Sequence, residues 1–108
     1  MIKRIVYILF IIPIYVALTG FTNNQIADAI YKAEASRAHP YGILAHYKKT
    51  TPRQACINSI ISAKARWIKA GSPGDFIAFM GLRYSPPAIN PNWVRLVHWF
   101  LNQAQNKQ

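Results

Sequence analysis

The sequence predicts an all-α (mainly α) fold with about four helices and two long loops after an N-terminal signal or anchor helix. Three observations lead to this prediction. Apolar residues recur at intervals of three and four in four segments, which is the periodicity of amphipathic helices. Prolines and glycines concentrate between those segments, where they end helices and form loops. The chain has 108 residues and one cysteine, so no intramolecular disulfide can support a loop-rich alternative.

The first element is residues 1–21, in which a short basic start, Met-Ile-Lys-Arg, precedes the apolar run IVYILFIIPIYVALTGF. This order is typical of a secretory signal peptide. Pro13 interrupts the run and its length is borderline for a membrane span, which favours cleavage after export over an uncleaved anchor, the alternative. No cysteine ends the run, which disfavours a lipoprotein. We therefore expect a secreted or periplasmic protein whose folded domain is residues 22–108.

The first helix of that domain is predicted over residues 25–36, after the polar residues 22–24, whose side chains can cap it. Its apolar residues keep helical spacing, and Glu34, the only glutamate of the chain, lies at the edge of their stripe. The next segment, SRAHPYGILAHYKKTT, contains a proline and a glycine and has no such stripe. It predicts a loop with one extended segment around residues 43–46.

Three further helices are predicted after this loop. Thr51 and Pro52 provide a cap and a proline in the first helical position of the second helix, which Gly71 ends. Asp75 can cap a short third helix over FIAFMGLRY. The proline-rich loop SPPAINPN then leads to the last helix, NWVRLVHWFLNQAQ, which Asn92 opens.

The chain is strongly basic, with 13 Lys and Arg against three acids and a formal charge of +10. Such a charge attracts a polyanion, which can be nucleic acid, an anionic membrane or the bacterial cell wall. A secreted protein rarely meets DNA, and no nucleic-acid-binding motif is present, so we expect no nucleic-acid partner. The expected contacts are therefore an anionic membrane or the wall, which offers carboxylate-bearing peptides and phosphate polymers.

The sequence lacks the motifs of several kinds of reactive site. His39, His46 and His98 show no metal-ligand spacing, and we expect no metal and no other cofactor. Cys56 stands alone in an apolar pattern and is interpreted as a small buried residue. There is no G-x-S-x-G segment for a serine hydrolase and no glycine-rich phosphate loop. A carboxylate remains as the candidate reactive group.

Glu34 is the candidate because it follows an apolar stripe and precedes a Pro-Tyr-Gly bend. A carboxyl group at such an edge is partly desolvated, which favours the protonated form that a general acid needs. The alternative is a surface glutamate paired with Lys32, Arg37 or a cation of another element. The other acids, Asp28 and Asp75, lie on a different side of the first helix and at a predicted cap.

Three groups of residues follow one another in a set order. The helix ADAIYKAE ends in the glutamate, YGIL lies in the loop after it, and RYSPP with NPNWV precedes the last helix. Over residues 25–102 this order resembles the lysozyme-like domain of lytic transglycosylases and goose-type lysozymes, in a reduced form. In that family the first helix ends in the catalytic acid, the loop segment lines the floor of the cleft, and an aromatic-plus-Asn segment closes the sugar site.

The resemblance implies an exported enzyme that cleaves the bond between N-acetylmuramic acid and N-acetylglucosamine in peptidoglycan, with Glu34 as the general acid and base. Transglycosylase chemistry is favoured over hydrolysis, because most glycoside hydrolases need a second acid. The expected substrate-binding residues are Tyr41, Gly42, Ile43, Arg83, Tyr84, Asn92 and Trp93. Rings of the loop aromatic residues can stack on sugars, and the basic residues expected at the anionic wall are Lys48, Lys49, Arg53 and Arg83.

A second hypothesis is kept beside the enzyme. It is a non-catalytic cationic protein that binds the cell wall or an anionic membrane through its basic and aromatic residues. In the first case the partners are peptidoglycan glycan strands, and in both cases we expect a monomer.

Overall fold

The computed structural model describes residues 19–44 and 48–106. Within these ranges the chain forms four α-helices, one 3-10 turn and no strand, which confirms the predicted all-α class. The predicted signal peptide or anchor lies almost entirely outside the described residues, as do His46 and Tyr47. No helix in the described part of the chain is both long and apolar enough to cross a membrane.

The helices are α1 (Asn23–Glu34), α2 (Pro52–Lys69), α3 (Phe76–Tyr84) and α4 (Trp93–Asn106), and the 3-10 turn is Pro40–Gly42. The turn lies in the loop for which an extended segment was predicted. Extended backbone is found at Ile43, directly after the turn, while residues 45–47 fall outside the described ranges. The α1 helix contacts α4, α2 and the turn, so the loop folds back onto the helix that precedes it.

Local side-chain hydrogen bonds set where the helices begin. At the start of α1, the Gln25 amide donates to Thr22 Oγ1 at 3.1 Å and the Thr22 amide donates to Gln25 Oε1 at 2.9 Å. This reciprocal capping box starts the helix two residues earlier than the sequence predicts. The predicted caps Thr51 and Asp75 are confirmed for α2 and α3.

The core lies where the four helices meet. Its fully buried large side chains come from every helix and are Ile26, Ile30, Cys56, Ile60, Met80, Trp93, Val97 and Leu101. The burial of Cys56 confirms its interpretation as a core residue. Gly81 lets α3 approach α4 closely, because a Cβ atom there would lie 3.1 Å from the Trp93 ring. Trp99 fits the helical pattern of apolar residues, which predicts a core position, but it is 53% exposed.

Candidate functional site

Glu34 is the last residue of α1 and is partly buried. Its Oε1 atom accepts a 2.9 Å hydrogen bond from the indole Nε1 of Trp93, at the start of α4. The ion pairs within the described ranges are Arg53–Asp28 and His98–Asp75, and Glu34 is in neither. The structure therefore does not place Glu34 in the surface ion pair that was its alternative interpretation.

The backbone at Gly42 is in direct contact with the Glu34 carboxylate. A Cβ atom built on Gly42 would lie 2.8 Å from Glu34 Cδ and 3.0 Å from both carboxylate oxygens. Gly42 also has a φ of 71°, a backbone conformation that residues with a Cβ atom rarely adopt. The backbone conformation therefore favours glycine at this position, and a Cβ atom there would force the Glu34 carboxylate to shift.

Tyr41, next to Gly42 in the turn, is held in place by hydrogen bonds from two other residues. It has a φ of 62°, a strained conformation for a residue with an aromatic side chain. Its carbonyl oxygen accepts a hydrogen bond from the Tyr84 hydroxyl, and its own hydroxyl accepts one of 3.0 Å from Arg53 Nη1. Strain of this kind persists where surrounding contacts impose it and often occurs at functional sites.

Arg53 was expected to face the anionic wall, but the structure shows a different arrangement. Its Nη1 atom also donates to Asp28 Oδ1 at 2.8 Å, and its Nη2 atom donates to Asn24 Oδ1 at 3.3 Å. One guanidinium thus joins the start of α2, the outer face of α1 and the Tyr41 hydroxyl. Its planar set of donors suits this combination of partners. Sequence patterns do not reveal this role, because they do not specify how α1 and α2 are aligned.

Tyr84 and Cys56 form the buried side of the site. The Tyr84 ring lies 5.6 Å from the Trp93 ring, between centroids, and its hydroxyl lies beside the Cys56 thiol. Burial raises the pKa of Cys56 to about 11 and also raises the pKa of Tyr84. Both groups are therefore neutral at physiological pH, and Tyr84 keeps the proton that it donates to Tyr41.

An open pocket of about 480 Å³ lies between α2 and α3. Its wall is mixed: polar and charged side chains lie beside the apolar Ala55 and Met80, and they are those of Thr50, Asn58, Ser59, Ser62, Arg66, Arg83 and Tyr84. Glu34 is not on this wall. Tyr84 connects the two regions, because it lines the pocket and also contacts Tyr41 and Trp93. We refer to this cavity as the α2–α3 pocket.

The structure brings most of the predicted site residues together. Glu34, Tyr41, Gly42, Tyr84 and Trp93 form one connected group, which we call the Glu34 cluster. Ile43 is partly buried and packs against the core next to this group. Arg83 lines the α2–α3 pocket. Asn92 is exposed, and its carbonyl accepts the Leu96 amide at 3.0 Å, so its observed role is in the first turn of α4.

In this structure the rings of Tyr41 and Trp93 lie in the core, the alternative to stacking on sugar. Tyr41 is 9% exposed and Trp93 is 0% exposed. A small domain has few residues for its core, and both rings are used there. Their contribution to the site is to hold the turn and the carboxylate.

No group of three or more His, Cys, Asp and Glu side chains within the described ranges could hold a metal ion.

Comparison of the chain with protein-family models, with curated proteins and with solved structures finds no match. The resemblance to the lysozyme-like family therefore stays a prediction from short motifs. The observations that bear on function are the geometry of the Glu34 cluster, the pocket next to it and the charge of the chain.

Proposed function

We propose that this protein is an exported peptidoglycan-cleaving enzyme of the lytic transglycosylase type, with Glu34 as its general acid and base. The observation that supports this most strongly is the setting of the carboxylate. Glu34 is partly buried and is held by a neutral donor, the Trp93 indole, instead of a cation. No described residue hydrogen-bonds its second oxygen, Oε2, which leaves that atom available for proton transfer.

In the first half of the reaction, protonated Glu34 donates its proton to the glycosidic oxygen that follows N-acetylmuramic acid. The bond from C1 to that oxygen breaks, and N-acetylglucosamine leaves with the proton as its new hydroxyl. The acetamido oxygen of the muramic acid bonds to C1 and stabilises the positive charge that develops there.

In the second half, ionised Glu34 accepts the proton of the C6 hydroxyl on the same sugar. The C6 oxygen then attacks C1 and displaces the acetamido oxygen, which gives a 1,6-anhydro end. The proton has moved from the C6 oxygen to the leaving sugar by way of Glu34, and no water is consumed. One carboxylate is therefore sufficient, acting first as acid and then as base.

The two other acids of the chain have different partners. Asp28 binds Arg53 at 2.8 Å. Asp75 caps α3 by accepting the Ala78 amide at 2.8 Å, and it also lies 2.8 Å from His98 Nε2. Neither belongs to the Glu34 cluster, which is why a mechanism with one carboxylate fits this chain better than a hydrolase with two.

The proposal is tested by the release of soluble muropeptides from purified peptidoglycan. In Glu34→Gln the amide oxygen can still accept the Trp93 indole N–H, so we expect the melting temperature to stay close to that of the wild type. Because glutamine cannot exchange the proton, we expect release to fall to background. Undiminished release by a folded Glu34→Gln protein would overturn the proposal.

A second candidate function is supported by the +10 charge of the chain. It is the cationic protein that binds the wall or an anionic membrane without cleaving anything. This candidate predicts binding that weakens steeply as salt is added and that is the same in wild type and Glu34→Gln. Wall binding by the wild-type protein with no release of muropeptides would favour this candidate over the enzyme.

A further inference from the structure

The α2–α3 pocket contains two arginines that have no acidic partner. Arg66 extends from α2 and Arg83 lies near the end of α3, and both line the pocket. Neither forms an ion pair within the described ranges, where the arginine that does is Arg53. A guanidinium presents a planar set of donors that matches a carboxylate or a phosphate. Two of them on facing walls make the pocket suitable for an oxyanion.

The rest of the wall suits an anionic and hydrogen-bonding ligand. Asn58, Ser59 and Ser62 lie on the pocket side of α2, along the same helix as Arg66. No acidic residue of the described ranges lines the pocket, so the two positive charges are not offset there. The wall therefore offers amide and hydroxyl groups beside cations, a combination that can bind a peptide with free carboxylates.

The position of the pocket links it to the Glu34 cluster. Tyr84 lines the pocket, and its hydroxyl donates a hydrogen bond to the Tyr41 carbonyl oxygen in the cluster. On α2, Cys56 lies beside Tyr84, and Arg66 follows at a distance of about 15 Å along the helix axis, at 1.5 Å per residue. Tyr84 is therefore the residue at which the pocket and the Glu34 cluster meet.

We infer that the α2–α3 pocket binds the carboxylates of the peptide that is attached to the glycan strand. This inference rests on the proposed function, because it assumes that a strand lies across Glu34. In a peptide-bearing strand the lactyl carboxyl group of N-acetylmuramic acid forms the amide bond to the peptide, so the carboxylates that Arg66 and Arg83 can bind are those of the peptide. The substrate class would then be strands whose peptides carry free carboxylates, with strands whose peptide carboxylates are amidated as poorer ligands.

The test measures binding to full-length Glu34→Gln protein by calorimetry, so that cleavage does not interfere. The two probes are a peptidoglycan tetrasaccharide that carries its peptides and the same tetrasaccharide with the carboxylates of those peptides converted to amides. We expect loss of the carboxylates to weaken binding by about tenfold or more, the size typical of charge-assisted hydrogen bonds. Adding Arg66→Gln and Arg83→Gln should lower the affinity for the probe with free carboxylates to that for the amidated one.

Arg95→Gln is the matched control, because Arg95 is exposed on α4, outside the pocket, and its loss removes one positive charge of the same kind. We expect it to keep the preference for the probe with free carboxylates. Equal binding of the two probes, or a preference that survives loss of both pocket arginines, would overturn the inference. It would also be overturned if poly(glycerol phosphate) bound as tightly through the same arginines, since the pocket would then take a wall phosphate polymer.

This experiment separates the inference from the proposed function. If Glu34→Gln cleaves peptidoglycan as well as the wild type, the proposed function fails whatever the binding results are. If Glu34→Gln is inactive and the arginine variants bind both probes as their parent does, the enzyme stands and the inference about the pocket fails.

Discussion

Replacing Gly42 by alanine adds one methyl group at the point where the backbone contacts the Glu34 carboxylate. The new Cβ atom would lie 2.8 Å from Glu34 Cδ, closer than such atoms can approach. Because the φ of 71° is set by the turn, the carboxylate is the group that must move. Because Trp93 Nε1 donates to this carboxylate at 2.9 Å, we expect the movement to lengthen or break that hydrogen bond.

Two free-energy terms contribute to the cost of this change. An alanine in the left-handed region costs about 1 to 2 kcal/mol relative to glycine. Loss of a hydrogen bond to a charged group adds about 1.5 to 3 kcal/mol. For a domain of this size, each 1 kcal/mol lowers Tm by about 4 to 8 °C. The effect on activity is larger, because displacing a catalytic group by about 1 Å can lower the rate by about a hundredfold.

Gly74→Ala is the matched control. Gly74 has a φ of 64°, similar to that of Gly42, but a Cβ atom there would have no neighbour within 4 Å. The control variant therefore carries the backbone cost without touching Glu34. The assays are the melting temperature, the rate of muropeptide release and the indole N–H resonance of Trp93.

We expect both glycine variants to melt at lower temperature than the wild type, with Gly42→Ala the less stable. Only Gly42→Ala should shift the Trp93 resonance and lose release by about a hundredfold. If Gly42→Ala released muropeptides as fast as Gly74→Ala and left the Trp93 resonance in place, the contact with Glu34 would not matter, and the reasoning would be refuted.

Three further changes test the surroundings of the site. Tyr84→Phe leaves the Tyr41 carbonyl without its donor, so we expect denaturant titration to show a loss of about 1 to 3 kcal/mol in the free energy of unfolding, and an unchanged midpoint would contradict this. Arg53→Gln removes the donor to the Tyr41 hydroxyl and to Asp28, so it should lower kcat of muropeptide release. Arg53→Lys should lower kcat less, because one ammonium group reproduces only part of the guanidinium geometry. Full activity in Arg53→Gln would show that this network is dispensable. Burial raises the pKa of Cys56 from 9.0 to about 11, so its contribution to stability is complete below pH 9 and is lost as the pH rises to about 11. Over that range the wild type should lose about 2 to 3 kcal/mol more than Cys56→Ala, and parallel pH profiles would contradict the shift.

The helix boundaries could be predicted from the sequence because their signals are local. Thr51 and Asp75 cap helices through hydrogen bonds to residues three positions later, and the same is true of Thr22. The position of Glu34 at the end of a helix follows from the same kind of pattern. The next residue, Ala35, has a φ of 49°, in the left-handed region, and there the chain leaves the helix for the loop.

The partners of Glu34 could not be predicted in the same way. Trp93 is far away in the sequence, and no local pattern indicates that its indole donates to the carboxylate instead of facing a sugar. The positive φ of Tyr41 was also not predictable, because the hydrogen bonds from Tyr84 and Arg53 that help to hold it come from distant parts of the chain.

Trp99 shows the limit of periodicity. Like its neighbour Phe100, it fits the helical pattern that predicts a core position, and the two rings do pack edge to face, with centroids 4.9 Å apart. Trp99 nevertheless is 53% exposed, because the buried stripe of α4 runs through Trp93, Val97 and Leu101. Adjacent residues on a helix point about 100° apart, so they cannot both face the centre of the core.

The most direct test of the central claim is digestion of purified peptidoglycan in water labelled with a heavy oxygen isotope, followed by mass spectrometry of the released muropeptides. If Glu34 acts alone as acid and base, the wild-type protein should release 1,6-anhydro ends that contain no label, and Glu34→Gln should release none. Equal release by wild type and Glu34→Gln would contradict catalysis by Glu34. Labelled reducing ends from the wild type would show that water is the nucleophile and would contradict the transglycosylase mechanism.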